Sequence, residues 1–206
     1  FLLSLAKRGR LYDEAARASN FAFRSAPVAI DIAAKTLTIV GFGRIGTRLA
    51  PRALAFDMQV AVYDPYVSDE TIAAAGCQPV HALQSILGET DFLTVHCPLN
   101  QETRGIIGAQ ELALMHPGSF VINCARGGIV NESALAQAVA NDQIAGAGVD
   151  VYETEPPSAN HPFLGSDKMF LSPHSAGVSV EAATRMSFET ADNLLAALRG
   201  EIRTEA

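Results

Sequence analysis

Three segments of the sequence place a charged or ionisable side chain shortly after an apolar run. Arg126 follows the run in VINCARGG, Glu155 lies in GVDVYETEPP, and His174 follows the run in FLSPHSAG. The planar guanidinium group of an arginine can bind a carboxylate through two parallel hydrogen bonds. A glutamate that meets a histidine forms a general acid–base pair, because the carboxylate orients the ring and raises its pKa towards the working pH. These residue types therefore indicate acid–base chemistry on a substrate that carries a carboxylate.

Each of these residues also has a structural explanation when it is considered alone. An arginine at the end of a strand is most often a surface salt-bridge residue, and a single histidine is usually structural or exposed to solvent. The same caution applies to His81, His116 and His161. His96, which ends the apolar run in TVHCPL, is expected to shape a cofactor pocket.

A glycine-rich turn in TLTIVGFGRIG indicates a second kind of chemistry, the binding of a phosphate group. Gly41 would permit a tight turn, Gly43 would let the backbone approach a pyrophosphate, and Gly46 would let a helix pack closely on a strand. The N–H groups at the start of that helix would then face the anion. Glycine-rich turns also serve purely structural ends, so the motif needs support from its surroundings.

Asp64 supplies that support, because it ends the next apolar run, VAVYD, 18 residues after Gly46. A carboxylate at this place can accept hydrogen bonds from both hydroxyls of an adenosine ribose and would repel a 2′-phosphate. The alternative is a turn residue before Pro65 that binds no ligand. We interpret the pattern as a site for NAD in preference to NADP.

Composition and charge argue against several other functions. The chain has 206 residues, of which 49% are hydrophobic and 18% charged, so it can bury a core. No basic stretch offsets the net charge of −7, which argues against nucleic-acid binding, and no apolar run is long enough for a membrane span. Cys77, Cys97 and Cys124 show no CxxC spacing, so we expect reduced thiols in a cytoplasmic protein, without a disulfide frame or a metal site.

Apolar runs and helical stretches alternate from Thr36 onwards. Strands are predicted at residues 36–40, 59–63, 92–95, 119–123, 145–149 and 169–171. Helices are predicted near 45–56, 69–75, 109–115, 132–140 and 180–199. The continuous Val, Ile and Leu character of the strands indicates burial on both faces. The alternation therefore predicts an α/β fold with a doubly wound parallel sheet of the Rossmann type.

The whole chain is predicted to be one dinucleotide-binding domain. Its parts are a leading helix at 1–18, an extended connection at 19–35, the Rossmann core at 36–178 and a C-terminal helix at 179–206. The leading helix opens at Phe1 within an apolar stretch and without a capping residue, so we expect the chain to be a fragment of a longer protein.

Six motifs, in chain order, resemble those of the D-isomer-specific 2-hydroxyacid dehydrogenases: GFGRIG, YDP, TVHCPLNQETRGII, VINCARGGIVNESAL, GVDVYETEPP and SPHSAG. The resemblance covers about residues 36–177. It implies that Arg126 binds the carboxyl and carbonyl groups of the substrate and that Glu155 pairs with His174. It also implies that Asp150 holds the carboxamide of the nicotinamide. The backbone expected to line the dinucleotide lies at Arg44, Ile45, Cys97, Cys124 and Ala125.

The same resemblance implies hydride transfer between NAD(H) and C2 of a small D-2-hydroxy or 2-oxo acid, of the 3-phosphoglycerate, hydroxypyruvate or glyoxylate type. It implies a homodimer that forms through the dinucleotide-binding domain at residues 1–35. The separate substrate lobe of the family is matched by no segment of this sequence. We therefore expect these 206 residues to bind NADH but, by themselves, to turn over 2-oxo acids poorly.

Two other classes of protein share this scaffold. Formate dehydrogenases carry a glutamine at the position of Glu155, since the release of carbon dioxide needs no proton transfer, so Glu155 argues against them. NADH-sensing transcriptional corepressors use the same domain as a dimerisation module and can retain the arginine, glutamate and histidine. That alternative stays open on the sequence alone, because a fold does not determine a function.

Overall fold

The computed structural model describes residues 1–25 and 27–201, and its strands all belong to one sheet. These strands are β1 (Thr36–Val40), β2 (Gln59–Tyr63), β3 (Gln78–Pro79), β4 (Phe92–Val95), β5 (Phe120–Asn123), β6 (Gly146–Val149) and β7 (Met169–Leu171). All neighbours are parallel, in the order β3–β2–β1–β4–β5–β6–β7. The predicted doubly wound α/β fold is confirmed. The strand order reverses between β1 and β4, which is where sheets of this kind bind their ligands.

Helices precede, separate and follow the strands in chain order. They are α1 (Leu2–Lys7), α2 (Gly9–Arg17), α3 (Gly46–Leu54), α4 (Asp69–Ala74), α5 (Ala109–Leu114), α6 (Glu132–Ala140) and α7 (Val180–Leu198). The predicted strands and the helices of the core are found within two residues of their expected bounds. The strand β3 was not predicted, because two residues are too few to show a period.

The leading segment differs from the single helix predicted at 1–18. α1 and α2 are separated by Arg8, whose φ of 49° is left-handed. The Arg8 guanidinium lies 5.4 Å from the centre of the Phe120 ring and donates a hydrogen bond to the Ala145 carbonyl at 3.3 Å. Local periodicity cannot reveal such a contact with a distant strand. The following connection, expected to be extended, contains a 3₁₀ helix at Phe21–Ser25.

Among the residues that the structure describes, the buried apolar side chains form two clusters. Both β4 and β5 are buried along their whole length, as their continuous apolar sequences predict. The rings of Phe92 and Phe120 stack at 5.2 Å and join these neighbouring strands. Removing this apolar surface from water provides the main stabilisation of the sheet.

The chain divides into two compact units, and the first, Phe1–Pro173, contains the whole sheet. The second unit begins at His174, so the core predicted at 36–178 includes its first residues. In the described part of that unit, Ser179 begins α7 by accepting a hydrogen bond from the Ala182 N–H at 3.0 Å. Among the described residues, no helix is long and apolar enough to cross a membrane.

Candidate functional site

The three glycines of the turn after β1 differ in what surrounds them. A methyl group at Gly41, whose φ is +97°, would lie 2.6 Å from the Cys97 backbone nitrogen, and one at Gly46 would lie 2.3 Å from the Gly41 carbonyl oxygen. No atom would lie within 4 Å of a methyl group at Gly43, which is exposed. Gly41 and Gly46 therefore serve close packing of the protein on itself. Gly43 faces open space, as a turn that binds a pyrophosphate requires.

Asp64, at the end of β2, is bonded to the glycine-rich turn. Its Oδ2 accepts a hydrogen bond from the Phe42 N–H at 2.7 Å, and its Oδ1 accepts one from the Tyr66 N–H at 2.9 Å. Each carboxylate oxygen has two lone pairs, so Asp64 can hold the turn and still accept ribose hydroxyls. The sequence motif did not predict the hydrogen bond between Asp64 and the Phe42 N–H of the glycine-rich turn.

A cleft of about 450 Å³ lies between the glycine-rich turn and the segment after β4. Gly41, Gly43 and Asp64 line it. The Tyr66 hydroxyl, also at this cleft, donates a hydrogen bond to Glu102, which raises the pKa of Tyr66. Sequence reasoning missed both Tyr66 and Glu102. They lie in loops without a periodic pattern, and only the fold brings them together.

A second cleft, of about 710 Å³, adjoins the first and shares its wall at His96, Cys97 and Pro98. It is lined by Arg44, Ile45, His96, Cys97, Pro98, Leu99, Cys124, Ala125 and Arg126. The residues that the resemblance assigned to the dinucleotide lining thus meet Arg126 at one surface. The two clefts together run along the carboxyl ends of β2, β1, β4 and β5.

Burial shifts the pKa values of the ionisable His and Cys side chains that line the second cleft towards the uncharged forms. It lowers the pKa of His96 to about 4, and the His96 Nε2 lies 3.0 Å from the Thr94 Oγ1. Burial, followed by the charge of Asp150, raises the pKa of the Cys124 thiol to about 11. Burial also raises the pKa of the Cys97 thiol. The charged side chains that line the second cleft are therefore the cations Arg44 and Arg126.

Asn123 shapes the loop that carries Arg126. This buried side chain donates a hydrogen bond from Nδ2 to the Arg126 carbonyl at 2.9 Å and accepts one from the Ala125 N–H at Oδ1, at 3.0 Å. The exposed Arg126 side chain donates from Nη1 to the Ala125 carbonyl at 2.6 Å. Sequence reasoning did not single out Asn123. Its signal was a polar residue at the end of a buried strand, directly before the loop.

The loop after β6 carries two further predicted residues. Asp150 is 2% exposed and accepts a hydrogen bond from the Ser172 hydroxyl, whereas Glu155 is exposed and accepts one from the Tyr152 N–H at 3.0 Å. A methyl group at Gly127 would lie 2.1 Å from the Tyr152 carbonyl carbon. The loops that carry Arg126 and Glu155 therefore pack backbone against backbone.

His174 is the first residue of the second compact unit. It is exposed, and its φ of 53° lies in the left-handed region. Within the first unit, the structure brings together the loops of Arg126, Asp150 and Glu155. The pairing of Glu155 with His174 stays a prediction.

A doubly wound sheet with a glycine-rich turn at its switch point and a carboxylate after the next strand defines a dinucleotide-binding domain. The family model described as "D-isomer specific 2-hydroxyacid dehydrogenase, NAD binding domain" matches residues 1–176, and the chain belongs to this family. The family resemblance of the motifs and the prediction of NAD as cofactor are thereby confirmed. Among the described residues, no cluster of three or more His, Cys, Asp or Glu side chains could hold a metal ion.

Individual relatives agree with the family assignment. The chain is 38% identical over 173 residues to D-3-phosphoglycerate dehydrogenase of Methanocaldococcus jannaschii, matching 84% of this chain and 33% of that protein. It is 40% identical over 172 residues to glyoxylate reductase of Korarchaeum cryptofilum, matching 84% and 52%. The D-lactate dehydrogenase of Aquifex aeolicus, solved with NAD and lactic acid, has a TM-score of 0.88 at 31% identity, over 97% of this chain and 64% of that one. The chain thus spans between a third and two thirds of the length of these proteins.

The different surroundings of the glycines predict opposite effects of two similar substitutions. Gly46→Ala should destabilise the protein by about 2 kcal/mol or more, because the added methyl group overlaps backbone that cannot move aside. Gly43→Ala should change stability by less than about 0.5 kcal/mol, yet weaken NADH binding by roughly 10-fold or more, because the methyl group would occupy the space of the pyrophosphate. Urea denaturation and fluorescence titration with NADH measure the two effects. Unchanged NADH affinity in Gly43→Ala would contradict this assignment of the turn.

Proposed function

We propose that the protein transfers a hydride between NAD(H) and C2 of a small D-2-hydroxy or 2-oxo acid. The observation that carries the proposal is the continuity of the two clefts, which runs from Asp64 to Arg126. A dinucleotide that extends along this surface would end beside a cation able to bind a carboxylate. The family and the named activities of the relatives support the same reaction.

The residues along the first cleft suit the nucleotide half of NAD. The turn of Gly41, Gly43 and Gly46 would hold the pyrophosphate, since the space beside Gly43 is open and α3 starts there. Asp64 would accept hydrogen bonds from the adenosine ribose. Glu102 adds a second carboxylate to the same cleft, which favours NAD over NADP.

The second cleft suits the nicotinamide half. The backbone at Arg44, Ile45, Cys97, Cys124 and Ala125 would line it. Asp150, which is buried directly after β6, would hold the carboxamide. Because His96 and the thiols are neutral, the two arginines make this cleft positive, which suits an anionic cofactor and an anionic substrate. When bound, the nicotinamide supplies or accepts the hydride.

The remaining chemistry falls to three side chains. Arg126 would bind the substrate carboxylate and polarise the carbonyl group. During reduction, His174 would donate a proton from a ring nitrogen to the oxygen on C2, and during oxidation it would accept that proton. Glu155 would orient the ring and stabilise its charged form. His96 is unsuited to this task, because burial keeps it neutral at the working pH.

The named activities of relatives support a substrate class. Relatives of this chain include a D-3-phosphoglycerate dehydrogenase and a glyoxylate reductase. We propose a substrate of the 3-phosphoglycerate, hydroxypyruvate or glyoxylate type for this protein as well. The free thiols of Cys77, Cys97 and Cys124 support a reducing compartment, and we propose the cytoplasm.

We also propose that the protein is a homodimer formed through residues 1–35. Large apolar side chains in this segment are exposed, among them Leu3 at 45%, Phe21 at 69% and Val28 at 39%. Grouped exposed apolar side chains of this kind are typical of protein interfaces. The proposed partners of the protein are thus a small 2-hydroxy or 2-oxo acid and a second copy of the same chain.

Cofactor preference should depend on Asp64. We expect NADH to bind roughly 10- to 100-fold more tightly than NADPH, and Asp64→Ala to narrow that ratio, because both the ribose contact and the repulsion of the 2′-phosphate are lost. NADH affinity itself should also fall, since the Phe42 N–H loses its acceptor. Fluorescence titration with both cofactors measures this, with the exposed Asp69→Ala as the matched control. A wild-type protein that prefers NADPH would refute the prediction.

The reaction is tested by single-turnover assays, with protein in excess over NADH so that slow turnover remains measurable. Glyoxylate or hydroxypyruvate should consume NADH, and Arg126→Gln should slow this consumption by about 100- to 1000-fold through loss of the charged anchor. The control Arg17→Gln, which removes only an exposed ion pair with Asp13, should leave the rate unchanged. A measurable rate of NADH consumption that is equal in Arg126→Gln and in the wild-type protein would contradict the proposed role of Arg126.

Oligomeric state is tested by sedimentation at micromolar concentration. The wild-type chain should sediment as a dimer, and Phe21→Glu should weaken association by at least about 10-fold, because a charge would be buried at the interface. Leu164→Glu is the matched control, since Leu164 is 50% exposed and lies outside residues 1–35. A monomeric wild-type chain, or equal effects of the two substitutions, would count against this interface.

A further inference from the structure

A second histidine–carboxylate pair lies in the first unit, apart from the proposed catalytic residues. The His161 Nε2 and the Glu132 Oε2 are 2.9 Å apart, and the two side chains are only 13% and 15% exposed. The His161 ring packs edge-on against Phe163, with ring centres 4.6 Å apart, and against Tyr152 at 5.8 Å. A largely buried pair of this kind, packed against aromatic rings, holds its geometry better than a surface ion pair does.

The hydrogen bonds of His161 determine which of its nitrogens carries the proton. The His161 Nδ1 accepts a hydrogen bond from the Phe163 N–H at 3.4 Å, so the proton of the neutral ring lies on Nε2. Nε2 therefore donates to Glu132, and this bond fixes one carboxylate oxygen of Glu132. The other oxygen, Oε1, accepts a hydrogen bond from the Glu153 N–H at 2.7 Å.

Glu132 is not required to cap its own helix. Asn131 caps α6, because its Oδ1 accepts a hydrogen bond from the Ala134 N–H at 2.9 Å. The Glu132 side chain instead reaches the turn after β6. Its position at the start of α6 is therefore used to hold a different loop.

That turn directs two consecutive N–H groups to two different carboxylates. The Glu153 N–H donates to Glu132, and the Tyr152 N–H donates to the Glu155 Oε1 at 3.0 Å. Gly127 packs directly on the peptide between Tyr152 and Glu153. Glu132 and Gly127 thus hold the same peptide, and the neighbouring N–H holds Glu155.

We propose that Glu132, itself fixed by His161, is a positioning residue that sets the orientation of Glu155. The inference rests on the proposed function, in which Glu155 orients the catalytic histidine. Glu132 acts only through the turn: it fixes the peptide at Glu153, and the peptide before it presents its N–H to Glu155. Without Glu132 this part of the turn can rotate, and the Glu155 carboxylate loses its fixed direction.

The pKa of Tyr152 also indicates that Glu132 and Glu155 lie near the same turn. Burial raises the pKa of the Tyr152 phenol, and the negative charges of Asp150, Glu132 and Glu155 raise it further. Carboxylates of the loop after β6 (Asp150 and Glu155) and of α6 (Glu132) therefore act on one phenol. The Tyr152 hydroxyl donates a hydrogen bond to the Ser172 carbonyl at 3.3 Å.

The experiment follows the ring signals of His174 by NMR as pH is varied, in the chain labelled at histidine. If Glu155 faces His174, Glu155→Gln should lower the pH midpoint of His174 by about one unit, because a nearby negative charge is lost. Glu132→Ala should lower it by roughly half as much, because Glu155 is then disordered rather than removed. Glu132→Gln should restore the midpoint only in part, since its amide oxygen can still accept from the Glu153 N–H but its amide NH2 then faces the His161 Nε2–H, which is also a donor.

The matched control is Glu111→Ala. Glu111 also lies in the first turn of a helix, and it also accepts a backbone N–H, that of Gly108 at 3.1 Å. Its removal should cost a similar amount of stability, measured by thermal unfolding, without moving the His174 midpoint. If Glu132→Ala does not fold, His161→Phe replaces it, because phenylalanine keeps the ring packing but removes the hydrogen bond to Glu132.

The outcomes separate the inference from the function on which it rests. A midpoint that moves in Glu155→Gln but not in Glu132→Ala or His161→Phe overturns the positioning assignment and leaves the catalytic pair intact. A midpoint that moves equally in Glu111→Ala also overturns it, because a general loss of stability would then explain the effect. A midpoint unmoved by Glu155→Gln refutes the pair itself, and the inference fails with it.

Discussion

The parallel pairing of β1 with both β2 and β4 is the arrangement on which the candidate site depends. The turn after β1 can pass between its neighbours only because Gly41 approaches the Cys97 backbone without a side chain. This close approach leaves the first cleft open beside Gly43 and joins it to the second. Since all strands are parallel, every segment that follows a strand emerges at the same edge of the sheet. The residues available for chemistry are therefore gathered by the direction of the strands.

Main-chain hydrogen bonds, more than ion pairs, hold the polar side chains at this edge. Asp64 is held by the N–H groups of Phe42 and Tyr66, and Asn123 shapes the Arg126 loop through one donor and one acceptor. Glu155 and Glu132 are each held by an N–H of the same turn. Backbone groups have fixed positions, so they orient a carboxylate with little loss of side-chain entropy.

Burial decides which of the side chains that line the second cleft carry charge. Deprived of water, His96 and Cys124 stay neutral, although both are ionisable. The cations Arg44 and Arg126 then dominate the second cleft, as an anionic cofactor and an acidic substrate require. A histidine that is neutral by burial cannot supply a charged proton donor, which is why the acid–base step is assigned to the exposed His174.

The sequence by itself determined six of the seven strands found in the described residues, the sheet class, the glycine-rich turn and the residues at the strand ends, because periodicity and strand-end position are local properties. Only the tertiary structure decided where α1 ends, since Arg8 turns towards Phe120 and Ala145 in distant strands. The same holds for Glu132 and His161, which are 29 residues apart and meet through folding alone. A hydrogen bond between distant loops leaves no periodic trace in a sequence, because its geometry depends on the packing of the backbone that carries both partners.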